Sequence, residues 1–423
     1  MLESSTPTGT PFPPVATAKG LSRWLVIILA FLAVLLDGFD TASLGLAVPG
    51  LAKNWSLSPA AFAAPLIATN AGVVAGYMLS GRLSLRFGLR RMLLAGVVVF
   101  ALGSALTAVS SGIPFMTIAR FLTGVGLGAV LPSAISLATT GRDGGQRERI
   151  AVFVTMGLSA GSLAAGLSGG KLISELGWQS IFWLGAVLPI ILLPVMWFGI
   201  SEADAPRPSP KAGQETVQSL FRRGFALPTV LLWLFAFLIF ATFYAFSSWL
   251  PTLLTNFGLD LAMAPLGAAS LGIGGILGAL LLMIFSVRFK TSWMLVVAAS
   301  VAIGFLLMIA LGQPGQWQLL LLFAGVGMGL ASSMVGQAAV AVSVYPATSR
   351  TSGVAWAAAL GRLGSIAGPA LGGILLSAGQ SPQNIVLAVC VPVFLAVVVM
   401  TALSRRLSRQ TTEDALEPIR LPG

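Results

Sequence analysis

The chain has 423 residues, of which 56% are hydrophobic and only 9% charged, with a formal net charge of +11. A soluble protein of this length needs far more charge to cover its surface. There is no histidine and one cysteine, Cys390. His-ligated haem, His-based zinc sites, His general-base catalysis and intrachain disulfides are therefore excluded together.

Apolar runs recur, each long enough to cross a hydrocarbon core of about 30 Å as a helix. Lipid gives the backbone no hydrogen-bond partner, so helices are the available choice. The first run follows Lys19 and Arg23 and continues from Trp24 past Asp37 to about Pro49. It is too long and too acidic for a signal peptide and reads as a retained helix. In chain order the predicted spans are about 22–50, 60–82, 90–110, 113–139, 149–172, 179–200, 226–256, 264–287, 291–312, 315–343, 351–377 and 382–404. Turn residues fill the gaps, as at Ser110-Ser111-Gly112 and Gln313-Pro314-Gly315.

The expected organisation is an N-terminal tail (1–21), a six-helix bundle (22–200), a linker (201–225), a second six-helix bundle (226–404) and a C-terminal tail (405–423). The linker carries Pro206, Pro208 and Pro210. The segment up to about Ala18 and the stretch after Arg409 read as disordered. An even number of spans places both termini on one side. Of the 24 Lys and Arg, 20 fall on that side, which predicts cytoplasmic termini. The same alternation explains the positive charge without nucleic acid as a partner.

The halves repeat. Gly124-Val125-Gly126-Leu127-Gly128 matches Gly325-Val326-Gly327-Met328-Gly329, Arg86-Phe87 matches Arg288-Phe289, and Gly169-Gly170 matches Gly372-Gly373. The offsets run from 201 to 203 residues. The predicted fold is an all-α integral membrane protein of twelve helices, two six-helix bundles in parallel pseudo-twofold repeat. That arrangement suits an alternating-access transporter with its site between the halves near mid-membrane.

Only Asp37 and Asp40 among the acids fall within a predicted span. An ionisable group there needs a partner or a wet cavity. Three residues apart, the two carboxylates point to nearly the same helix face, and both cannot easily ionise in a low dielectric. Such a pair can load and release a proton, or it can be a structural cap or ion pair. Arg120 and Arg362 are the basic residues inside spans. At about 1.5 Å per residue, all four charges share a layer near the midplane, which suggests one charge cluster around a central cavity. A guanidinium suits a carboxylate ligand through two parallel hydrogen bonds. Arg362 is the candidate docking group, Arg120 the candidate coupling partner of the aspartates, and both could simply neutralise them.

Glycines such as Gly124 and Gly128 suit close helix packing. Helix 7 is rich in aromatics, and its Tyr244 is a candidate for stacking on a ring-shaped substrate. Asn70 and Gln337 could bind substrate or bridge helices. No phosphate-binding loop is present, since Gly170-Lys171 is followed by Leu172.

These residues resemble a family. Asp37-Gly38-Phe39-Asp40 is similar to the Asp-Gly-x-Asp signature in helix 1 of the aromatic acid:proton symporters, a branch of the major facilitator superfamily. Ala119-Arg120 through Gly128 resembles that family's helix 4 motif. Tyr345-Pro346, Arg350-Thr351-Ser352-Gly353-Val354 and Gly361-Arg362-Leu363-Gly364 resemble its helix 10–11 segment, and Gly177-Trp178 through Trp183 its start of helix 6. The resemblance implies proton-driven uptake, across a bacterial inner membrane, of an aromatic or related carboxylate of hydroxybenzoate, phenylpropionate, muconate or lactone type. It makes the helix 1 aspartates, Arg120, Arg350 and Arg362 important for transport, and the expected state is a monomer without cofactor or metal. The loop holding Arg86 and Gly88 departs from the pattern, with Leu85 where the superfamily usually has a gating aspartate.

The rival readings are a proton-coupled exporter of small organic compounds, a membrane enzyme, and a non-transporting receptor. Exporters of the drug-antiporter type carry Gly-Pro-x-x-Gly-Gly in helix 5. Here helix 5 reads Gly166-Leu167-Ser168-Gly169-Gly170, without proline, which favours import. The absence of histidine and the scarcity of intramembrane acids argue against an enzyme.

Overall fold

The computed structural model describes residues 20–142, 144–201, 220–221, 225–345 and 350–416. All but the last two residues of the expected N-terminal tail, and most of the linker, lie outside the described residues. Among those described, twelve helices are long and apolar enough to cross a membrane. They are α1 (Gly20–Trp55), α2 (Ala63–Phe87), α3 (Leu89–Ala108), α4 (Ile113–Thr139), α5 (Gly144–Leu176), α6 (Gln179–Gly199), α7 (Ala226–Asn256), α8 (Leu266–Phe285), α9 (Thr291–Leu311), α10 (Gln316–Val344), α11 (Arg350–Ser377) and α12 (Pro382–Leu416). The last helix runs past the predicted span end at 404 and into the stretch expected to be disordered. No glycine or proline interrupts it between Pro392 and Pro418, so nothing breaks the helical hydrogen-bond ladder.

Each half is built the same way. In the first, α1 packs on α5, α2 on α4, and α3 on α4 and α6; in the second, α7 packs on α11, α8 on α10, and α9 on α10 and α12. Glycines set the register of these contacts by letting backbones touch. A Cβ added at Gly72 or Gly76 of α2 would stand 2.2 Å from the carbonyl oxygens of Phe121 and Val125 respectively. In the second half, Gly274 and Gly278 of α8 meet the Ala324 and Met328 oxygens at 1.9 and 2.3 Å in the same way. Gly161 of α5 lies against the backbone of Leu35 and Phe39, and Gly364 of α11 against that of Phe237 and Ala241. The structural repeat is therefore 202 residues in α1/α7 and α2/α8, and 203 in α4/α10 and α5/α11.

One predicted alignment changes. The helix 4 and helix 10 glycine ladders match in sequence at 201, but Gly126 packs on Gly96 and Phe100 of α3 while Gly329 packs on Ala298 and Ala302 of α9. Gly126 thus corresponds to Gly329, two positions from the sequence match. A ladder with glycine at every second position matches itself at a shift of two, so sequence alone cannot fix its register.

Gly124→Val tests this packing, because its Cβ would meet the Thr69 oxygen at 2.0 Å. Overpacking of this kind costs about 1–3 kcal/mol or more. A clear drop in melting temperature in detergent is expected for Gly124→Val, with none for Gly81→Ala, whose Cβ would have nothing within 4 Å.

The halves meet through α5 with α8, α1 with α7, and α2 with α11. Many of the close contacts lie toward the membrane side opposite the termini. Gly45 abuts the Ser247 and Ser248 carbonyls, Gly170 the Ala262 carbonyl, and Gly373 the Ala63 side chain. Ser162 Oγ donates to the Ala268 carbonyl across the same seam at 3.1 Å.

Candidate functional site

The two aspartates of α1 are held by a helix that presses hard on its neighbour. A Cβ at Gly38, between them, would overlap the Leu158 carbonyl of α5 at 2.1 Å. With Gly38 pinned on α5, Asp37 and Asp40 project elsewhere, both with 6% or less of their surface exposed.

Asp40 points into the first half. Its Oδ2 stands 3.0 Å from Arg120 Nη2. Its Oδ1 accepts from Ser104 Oγ at 2.9 Å, and Ser104 also lies 3.0 Å from the Phe182 carbonyl. Gly185 of α6 leaves the room, since a Cβ there would come 2.8 Å from Ser104 Oγ. Arg120 is fully buried. Its Nε donates to Thr69 Oγ1 at 3.1 Å, Nη2 reaches the Asp40 carbonyl at 3.4 Å, and its guanidinium lies 5.9 Å from the Phe182 ring centre.

Asp37 points toward the seam between the halves. Thr41 Oγ1 donates to its Oδ1 at 3.3 Å, and among the described residues no cation lies within ion-pair distance. Arg362 is the cation placed to act on it electrostatically across the seam. Arg362 sits on α11 between Gly361, which faces Phe240, and Gly364, which lies on the Phe237 carbonyl. Nη1 donates to Tyr244 Oη at 2.9 Å and Nη2 to Tyr77 Oη at 2.9 Å. The rings of Tyr77 and Phe240 lie 4.7 and 6.0 Å from the guanidinium. Tyr77 belongs to α2, so the arginine bridges the halves.

The predicted four-charge cluster thus resolves into two linked parts. One is the closed Asp40–Arg120 pair inside the first half. The other is Asp37 with Arg362 at the seam. The two carboxylates fan apart because three helical residues span 300°, leaving about 60° between their directions. Tyr244 comes to the site by its hydroxyl, with its ring stacked 6.3 Å from Phe240. Sequence reasoning missed Tyr77, Ser104 and Thr69. The chain has only three tyrosines, and that scarcity was the available signal for Tyr77.

The remaining predicted residues fall elsewhere. Asn70 is buried and donates to Leu66 of its own helix at 3.1 Å. Gln337 is buried in α10, and its Oε1 has no partner among the described residues. Gly88 makes the α2–α3 turn with φ +85°, a conformation that favours glycine. Arg86 is exposed beside it, 5.3 Å from the Phe87 ring centre. The side chain of Arg350 lies outside the described residues. Gly124 and Gly128 pack on α2, at the Thr69 and Val73 carbonyls.

The family model described as the Major Facilitator Superfamily matches residues 30–335 and 266–421. A 4-hydroxybenzoate transporter, PcaK, of Pseudomonas aeruginosa is 30% identical over 88% of this chain and 91% of its own length. A gallate transporter of Pseudomonas putida is 30% identical over 90% of this chain and 91% of its own length. A 3-(3-hydroxy-phenyl)propionate transporter of Escherichia coli K12 is 32% identical over 92% and 96%. Among solved structures, an inward-facing bacterial homologue of the human lysosomal transporter Spinster superposes with a TM-score of 0.70 at 17% identity. That match covers 93% of this chain and 99% of the other and supports the fold. These relatives are transporters, and with twelve apolar helices the chain is a multi-pass protein of the bacterial inner membrane, not an enzyme. The chain belongs to the major facilitator superfamily and, within it, to the aromatic acid:proton symporter family.

Proposed function

We propose that this protein carries an aromatic carboxylate into the cell together with protons, by alternating access between its two halves. The observation that carries the reading is Arg362, half-buried on α11, which bridges the halves through Tyr244 and Tyr77 beside Asp37. The names of the curated relatives supply the substrate class: hydroxybenzoate, gallate and hydroxyphenylpropionate are all aromatic acids.

The coupling follows from charge. A substrate carboxylate beside Arg362 would be a second anion next to Asp37 in a low-dielectric site. Two anions there repel, and a proton on Asp37 removes the repulsion. Proton and substrate then favour each other's binding, and by linkage the effect is reciprocal. Asp40 is given a different role, because it is already paired with Arg120 and Ser104. Its contacts with Arg120 and Ser104 link α1 to α4 and α3 beside Asp37.

The test is uptake of labelled 4-hydroxybenzoate and 3-(3-hydroxyphenyl)propionate by proteoliposomes under an imposed pH gradient. Accumulation that follows the gradient is expected, and transport indifferent to it would remove proton coupling. In the same assay Arg362→Lys keeps the charge but loses the planar fork. Hydrogen bonds to charged groups contribute about 1.5–3 kcal/mol each, so the KM is expected to rise roughly 10- to 100-fold. An unchanged KM would exclude Arg362 as the docking group.

A further inference from the structure

Arg362 has five N–H donors in a fixed fork. Tyr77 and Tyr244 accept two of them. Each phenol oxygen therefore acts as an acceptor toward the arginine and still holds its own hydroxyl proton. Those two protons are not committed to any described acceptor. Arg362 thus keeps three uncommitted N–H groups, flanked by the two phenol O–H groups, and all of these are donors. A carboxylate has about four lone-pair sites and donates nothing, which is the complement of this set.

The donors come from both halves. Arg362 and Tyr244 belong to α11 and α7, whereas Tyr77 belongs to α2. The Tyr77 position is built closely. Gly76 beside it sits on the Val125 carbonyl, and the added Cβ of Gly128 in α4 would lie 2.9 Å from the Tyr77 nitrogen. The α2–α4 glycine contact therefore fixes the height at which the phenol meets the guanidinium. The second-half counterpart of Tyr77, at the α2/α8 offset of 202, is Ala279. The hydroxyl is a feature of the first half alone.

We infer that Tyr77 is a substrate-carboxylate ligand supplied in trans by the first half, closing over an anion that Arg362 and Tyr244 hold from the second. The inference rests on the carboxylate-carrier reading above and adds to it a residue and a consequence. A bound carboxylate then adds a second tie between α2 and α11 to the direct Arg362–Tyr77 bond, so substrate binding strengthens the contact between the halves. A neutral molecule of the same shape would not do so.

The experiment measures binding of 4-hydroxybenzoate and of neutral 4-hydroxybenzamide to purified full-length wild type, Tyr77→Phe and Arg362→Lys by calorimetry. Tyr77→Phe keeps the ring over the guanidinium and removes only the hydroxyl. It is expected to weaken binding of the acid about tenfold or more and to leave the amide within about twofold. Equal weakening of acid and amide would show that Tyr77 shapes the cavity and does not grip the carboxylate, and would overturn the inference. So would unchanged binding of the acid. If Arg362→Lys weakens the acid while Tyr77→Phe does not, the trans ligand falls and the carboxylate reading stands. If wild type binds neither 4-hydroxybenzoate nor 3-(3-hydroxyphenyl)propionate, the carboxylate reading itself falls. Should the phenylalanine variant fail to fold, Tyr77→Leu, whose side chain likewise has no hydrogen-bond donor, answers the same question.

Discussion

Asp37→Asn is expected to abolish gradient-driven accumulation while leaving exchange of labelled for unlabelled substrate intact. Asparagine imitates the protonated carboxyl in shape and neutrality, so the repulsion that couples anion to proton is permanently relieved. The carrier can then bind and cross with substrate but no longer responds to pH. A difference of one pH unit supports about tenfold accumulation for each proton moved, and in the variant the ratio is expected to fall to one. The measurement is paired influx and counterflow in proteoliposomes. Gradient-dependent accumulation persisting in Asp37→Asn would remove this residue from the coupling step. Loss of counterflow as well would point to a structural defect. The companion Asp40→Asn is expected to behave differently, lowering stability before coupling, because it leaves Arg120 without its anion.

The second large effect concerns that pair. Arg120 is fully buried, and among the described residues Asp40 is the acid that faces it. Breaking a buried ion pair by removing one partner costs about 3–5 kcal/mol, because the remaining charge stays desolvated. Arg120→Met should therefore melt well below the parent, and transport should fail with it. Removing both charges, in Arg120→Met/Asp40→Leu, leaves no uncompensated ion. Exchanges of this type are often neutral or stabilising by about 1–4 kcal/mol. Ser104 still has the Phe182 carbonyl to donate to. Recovery of the melting temperature in the double variant, without full recovery of transport, is the expected pattern. A single variant as stable as the parent would contradict the structural role given to the pair.

Much of the fold was legible in the sequence because its signals are additive. Twelve apolar runs, turn residues between them and basic residues on alternate loops each point to the same helix count. The intramembrane charges were legible for a similar reason, since Asp37, Asp40, Arg120 and Arg362 stand out against apolar neighbours. Their pairing was not. A 60° difference in direction sends Asp40 to Ser104 and Arg120 but Asp37 to the seam, and no spacing rule says which neighbour waits there. Tyr77 escaped notice because a tyrosine in an apolar helix is unremarkable until its hydroxyl is seen against a guanidinium from the other half. The glycine ladder misled by two positions because its own periodicity is two.

The corrected repeat exposes a division of labour. At the structural offsets of 202 and 203, Asp37 and Asp40 correspond to Ile239 and Thr242, Arg120 to Phe323, and Arg362 to Ser159. The two halves share a scaffold, yet no intramembrane charge has a charged counterpart across the pseudo-axis. Two copies of the first half would hold four intramembrane acids and no Arg362, and two copies of the second would hold a pair of Arg362 residues and no intramembrane acid. Whatever symmetry the ancestral duplication left in the backbone, the chemistry is that of an obligate heterodimer written on one chain. Sequence drift in either half is therefore constrained by the other, most of all at α1, α2 and α11, where a change of charge or hydroxyl on one side has no substitute on its own side.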